Sequence, residues 1–211
     1  LLSALSFAAF LGGCGTNKPE IPEELLSDSN GASGADYPEG PYGTDKGDLA
    51  ANSTFRGWRE PLTSEHTSAT LEDISFSDYY DPSGRTYELL LVNSAALWCS
   101  VCQSEHRTLP EHYAEYSGRG LALVSALFQD EAANPADLND LKAWVERFDV
   151  PYPMGLDPDF QLGVYATADS APLNLLVDAR SMQIIEKFIG DSSTTLWNLV
   201  DDELSRREGG E

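Results

Sequence analysis

Three cysteines in 211 residues are too few for a disulfide-stapled scaffold, and one short of a four-cysteine zinc site. Basic residues are scarce as well. Thirteen Lys and Arg stand against 35 Asp and Glu, a formal net charge of −22. A surface of that sign repels phosphate backbones, which argues against nucleic acid as a partner. Long apolar runs are missing too: the run over residues 1–13 is too short to cross a bilayer as a helix. What remains is a chain with 41% hydrophobic residues, enough for one globular core with some chain left over.

Residues 1–13 are apolar, uncharged and end in Gly12-Gly13, like the core and cleavage region of a secretory signal that begins part-way through. Residues 15–45 are rich in Pro, Gly, Ser, Asn and acidic residues, with little periodic apolar pattern. Such a composition buries too little apolar surface to offset its ordering entropy. The expected organisation is a signal remnant over 1–13, Cys14 and a flexible acidic tether over 14–46, a folded domain over 47–207, and a tail over 208–211.

Within the domain, apolar patterning alternates between strand and helix. Strands are expected near 71–78, 87–92, 121–128, 151–156, 173–177 and 183–189. A helical stretch runs from Cys99 to about Tyr116, with a kink or break expected near Pro110. Asn134-Pro135 reads as a cap followed by Pro at the first helical position. Leu138, Leu141, Trp144, Val145 and Phe148 form the apolar face of that helix. A last helix carries Leu196, Leu199, Val200 and Leu204 behind Ser192 or Ser193. The pattern predicts an α/β sandwich with a mixed central sheet.

Chemistry concentrates in Trp98-Cys99-Ser100-Val101-Cys102, directly after the 87–92 strand. A helix entered at Cys99 puts both sulfurs at its first turn, where unpaired N–H groups favour a thiolate. On spacing alone the pair is either redox-active or metal-binding. Cys99, Cys102 and His106 share one helical face, which keeps the metal reading open.

The strand that ends in Val92-Asn93, Trp98-Cys99 five residues on, Glu105 three residues after Cys102, and Ala171-Pro172 before the 173–177 strand resemble a family. They are similar to TlpA-like, redoxin-type thiol–disulfide proteins of the bacterial envelope, which have a thioredoxin fold. The resemblance implies a thioredoxin-like three-layer sandwich with an α-helical insertion over 129–165. It makes Cys99 the attacking thiol and Cys102 the resolving one, with a redox-active disulfide in place of any cofactor and no metal. Pro172 takes the place of the family's cis-proline and Ala171 offers its backbone to substrate. Trp98 flanks the site, and Glu105 tunes the thiols or relays protons. Asn93 stands where thioredoxins proper bury an acid, Ser94 and Ala95 where relatives carry aromatics, and Arg107 where many carry proline. The implied partners are protein thiols and disulfides, with an upstream electron donor or acceptor. Leu11-Gly12-Gly13-Cys14 resembles a bacterial lipobox, implying a lipid anchor on Cys14 and a place in the cell envelope, on the outer membrane where there are two. The alternative is a metal-handling or non-catalytic binding lipoprotein on the same scaffold.

Overall fold

The computed structural model describes residues 37–209. Seven strands form one sheet: β1 (Thr54–Trp58), β2 (Glu72–Ser75), β3 (Leu89–Ala96), β4 (Leu121–Gln129), β5 (Met154–Leu156), β6 (Leu173–Asp178) and β7 (Ile184–Ile189). Their spatial order is β2-β1-β5-β4-β3-β6-β7. β3, β4 and β5 run parallel, and the other pairings are antiparallel. Among the described residues, four α-helices accompany the sheet: α1 (Ser100–His106), α2 (Leu109–Tyr116), α3 (Leu138–Phe148) and α4 (Ser193–Glu208).

Central β3 is buried over its whole length and β4 up to its last residue, as expected of apolar runs covered on both faces. Alternation sorts their side chains. Leu89, Leu91, Leu121, Leu123 and Leu127 face a core closed by Leu109, Leu141, Trp144, Phe148, Leu196 and Val200. All four helices lie on that face: His106 of α1 meets Trp144 of α3, and His112 of α2 stacks on Trp197 of α4. Leu90, Val92, Ala122, Val124, Leu175 and Val177 face the other way. They are covered by Tyr37, Ala50, Phe76, Tyr79, Leu162, Tyr165 and Met182. The third layer is therefore built from short 3-10 turns and extended chain. In particular, Gln161–Val164 form a 3-10 turn.

Two expectations need correction. The folded unit takes in residues 37–46, which were expected to belong to the tether. Tyr37 is buried, its hydroxyl donates to the Ala50 carbonyl at 2.8 Å, and its ring packs against Tyr42 and Tyr80. Isolated tyrosines in a Pro/Gly-rich stretch carry no periodicity, yet each buries a large apolar area. The α3 helix begins at Leu138, three residues later than expected. Asp137 caps it, accepting from Asn139 N and Asp140 N, while the Asn134 side chain is held by Asp130. The reciprocal Asp137–Asp140 capping box satisfies the free N–H groups better than a lone Asn would.

β5 is short for a chemical reason. Ser125 N donates to the Pro153 carbonyl at 3.0 Å. The next rung toward the N-terminus would need an N–H from Pro153, which proline lacks.

Candidate active site

The thiols sit where β3 hands the chain to α1. Cys99 is the N-cap of α1, and its sulfur accepts the backbone N–H of Cys102 at 3.0 Å. The two sulfurs form a disulfide, with Cα atoms 5.2 Å apart. Cys99 is 4% exposed and Cys102 is fully buried, so an incoming sulfur can reach only the first. The N–H that points at Cys99 Sγ favours the thiolate once the bond is reduced.

Around the pair lies an apolar rim. Trp98 and Val101 are more than one-third exposed, and the Trp98 indole donates to Gln129 Oε1 at 2.9 Å. The Ala171–Pro172 peptide is cis. Leu173 is opposite Ser94 in the β3–β6 register, which places Pro172 at the end of β3 that leads to Cys99. Ile189, half-exposed, pairs with Leu173 in β7, and Gly190 N donates to the Pro172 carbonyl at 2.8 Å. Of the four large hydrophobics exposed among the described residues, three (Trp98, Val101, Ile189) are on this end of the sheet. Apolar surface left uncovered in one place marks a contact site.

Beneath α1 runs a row of polar side chains. Asn174, Asn93 and Ser125 are register partners across β6, β3 and β4, all buried and all on the helix-covered face. Glu105 comes down on this row from α1. It accepts from Asn93 Nδ2 at 2.9 Å and from Asn174 Nδ2 at 2.6 Å, and Asn93 Nδ2 also donates to Asn174 Oδ1 at 2.9 Å. Burial pushes its pKa up to about 7, against the pull of the two amides and with a further push from Asp191. An acid poised there exchanges protons readily at neutral pH. A cavity of about 310 Å³, lined by Ser100, Ser104, Glu105, Thr108, Asp191 and Ser193, gives it a route to water.

His106 is fully buried, and burial lowers its pKa to about 4. Its Nδ1 lies 3.1 Å from the Cys102 carbonyl oxygen and its Nε2 3.1 Å from Ser125 Oγ, so both ring nitrogens are turned away from a shared ligand position with the sulfurs. After His106 the helix breaks at Arg107-Thr108. α2 then starts with Pro110 in its first turn, where a missing N–H costs nothing.

The structure gathers Cys99, Cys102, Trp98, Glu105, Asn93, Ala171 and Pro172 at one end of the sheet, whereas Cys14 lies outside the described residues. Glu105 lies under the helix, not on its exposed face, and the acid missing at Asn93 is supplied from the opposite side of the same contact. Sequence reasoning missed Asn174 and Ser125 and did not give His106 its place. The available signal was polar interruption of apolar strands: Asn174 between Leu173 and Leu175, and Ser125 between Val124 and Ala126.

A mixed sheet with a dithiol at the head of the helix after a central parallel strand, and a cis-proline facing it, defines a thioredoxin-like protein. A family model for the AhpC/TSA family matches residues 62–187, and the chain belongs to that family. The thiol:disulfide interchange protein DsbE of Vibrio cholerae is 32% identical over 131 residues, 60% of this chain and 64% of the relative. The thiol-disulfide oxidoreductase ResA of Bacillus cereus is 26% identical over 105 residues, 49% of this chain and 56% of the relative. The chain thus spans less than two thirds of the length of these relatives. The crystal structure of the thioredoxin domain of a thiol-disulfide oxidoreductase from Bacteroides vulgatus superposes with a TM-score of 0.54 at 19% identity, covering 76% of this chain and 98% of that one. At that identity the match speaks to the fold.

Proposed function

We propose that the chain is a thiol–disulfide oxidoreductase working through the Cys99–Cys102 couple. The observation that carries this reading is the pair itself: a disulfide at a helix start, its first sulfur the more accessible, with a buried titratable acid one turn further on. In the reducing direction, the Cys99 thiolate attacks one sulfur of a substrate disulfide. A mixed disulfide forms and the other substrate sulfur leaves as a thiolate. Cys102 then gives up its proton, for which we assign Glu105, buried three residues further along the helix with a pKa near 7, as the acceptor, and attacks Cys99 Sγ. The second substrate thiolate leaves, and two electrons have passed from the dithiol to the substrate. A dithiol donor must then reduce the Cys99–Cys102 disulfide for the next cycle. Reduction is the direction we favour, and no cofactor beyond the couple is invoked.

Substrates are protein disulfides, which the apolar rim of Trp98, Val101 and Ile189 suits. The half-buried Ala171 beside the cis-proline is the backbone we assign to pairing with an extended substrate segment. We place the protein in the cell envelope, held to a membrane through lipidated Cys14. The support for this is the Leu11-Gly12-Gly13-Cys14 motif behind an apolar segment. Reduction of insulin by the parent and by Cys99→Ser tests the activity. The variant is expected to fall to background, and equal rates would overturn the assignment.

A further inference from the structure

His106 has no part in the exchange just described, yet its hydrogen bonds cannot all be satisfied. Asn93 Nδ2 has two protons and spends both, on Glu105 Oε2 and on Asn174 Oδ1. Asn93 Oδ1 can only accept, and it takes the single hydroxyl proton of Ser125 at 2.8 Å. Ser125 Oγ must therefore accept from the ring, which puts the ring proton on His106 Nε2. A neutral imidazole has no second proton, so Nδ1 presents a lone pair to the Cys102 carbonyl oxygen at 3.1 Å. This is the pattern when Glu105 is a carboxylate.

Protonating Glu105 reverses the row. Its new O–H donates to an Asn93 amide turned by half a rotation. Asn93 then donates to Ser125, and Ser125 donates to Nε2. The ring proton now belongs on Nδ1, where it binds the Cys102 carbonyl. The reversal turns Asn93 Oδ1 toward Asn174 Oδ1. Each charge state thus leaves one pair of acceptors facing each other, and the row favours neither strongly.

We propose that His106 is a positioning residue that couples the protonation of Glu105 to the hydrogen bonding of the Cys102 backbone, by carrying its one ring proton on Nε2 or on Nδ1. The inference deepens the oxidoreductase reading and rests on it for its use: the state of the acid is reported to the main chain of the resolving cysteine. Protons balance: Glu105 takes one from water through the cavity beside it, and the ring releases its Nε2 proton to water and takes one from water at Nδ1 during transient opening of the buried site, with Ser125 keeping its single proton and only turning it. The groups packed on the ring add no competing charge. α3 contributes Trp144 and Phe148, the segment before β5 contributes Tyr152, whose pKa burial raises, and Glu105 is the carboxylate of the row. Asp191 faces Glu105 from the start of α4, and Arg147 of α3 is turned outward to Gln103.

Ring nitrogen NMR of protein labelled with 15N-histidine, from about pH 5 to about pH 9, reads the tautomer directly. Loss of signals in His106→Gln assigns the ring among the three histidines. The expected result is an Nδ1–H ring at the acid end, an Nε2–H ring at the alkaline end, and one tautomer throughout in Glu105→Gln. In Ser125→Ala the exchange no longer follows pH. An unchanged tautomer in the parent, or a doubly protonated ring over this range, overturns the proposal. Insulin reduction by the same samples separates the two readings. A fixed tautomer with intact turnover removes the coupling alone, and a tautomer that follows pH without turnover removes the oxidoreductase reading alone.

Discussion

Val92 and Asn93 are neighbours in β3 and belong to two different environments. Val92 enters a face that is apolar across the central strands, through Leu90, Ala122, Val124, Leu175 and Val177, and that is covered by turns and extended chain. Asn93 enters the face covered by four helices, in a polar row with Asn174 and Ser125 under Glu105 and His106. Buried polar groups cost stability unless every one finds a partner. Of the four buried polar side chains on β3, β4 and β6, Asn93, Ser125 and Asn174 lie in that row and Ser94 lies on the other face, so the apolar face chiefly holds the fold together while the helix-covered one keeps a titratable acid near the sulfurs.

The sharpest break of this contrast is chemical. Cys99→Ser is expected to remove insulin-reducing activity while leaving the urea unfolding midpoint of the reduced protein almost unchanged, because the serine still accepts from Cys102 N. Next in size, Leu90→Ala on the apolar face should lose about 2–5 kcal/mol in urea unfolding with no change in the pH profile of exchange. Changes in the polar row should instead move the pH profile of exchange, with a pH-dependent effect on stability.

The pH dependence of stability is a finer probe. Glu105 titrates in the folded protein at about 7 against an ordinary 4.5. The stability it contributes is present below about pH 4.5 and is lost as pH rises through about 7. His106 titrates at about 4 against an ordinary 6.5, so its contribution is present above about pH 6.5 and is lost as pH falls through about 4. The two slopes oppose each other where the windows overlap, each worth at most about 3 kcal/mol. Relative to the parent, Glu105→Gln is expected to gain stability with rising pH across the Glu105 window. His106→Phe should lose it with rising pH across the His106 window. Urea midpoints at about pH 5 and about pH 8 give both signs. Smallest is the rim: Trp98→Ala is expected to raise KM for a protein disulfide a few-fold, with kcat and stability nearly unchanged.

Much of this contrast was legible in the chain. β3 and β4 are apolar runs long enough to be recognised, Trp98 to Cys102 stands at the end of one of them, and Ala171-Pro172 opens β6. The polar row was not legible, because its members are 32 and 81 residues from Asn93 and meet only through strand register. The packing of Tyr37 was hidden for a similar reason: a single aromatic in a Pro/Gly-rich segment has no period to read. Asn93 stands where thioredoxins proper bury an acid, and the fold brings the buried carboxylate of Glu105 into hydrogen-bond contact with it from α1.

On the proposed function, Cys99 and Cys102 form a redox couple tied to a titrating acid beneath it. Its most direct test is the midpoint potential of the couple against pH, in the parent and in Glu105→Gln. A change of slope near neutrality is expected in the parent and not in the variant. Superimposable profiles, or a pair of thiols that does not equilibrate with a dithiol buffer, would contradict it.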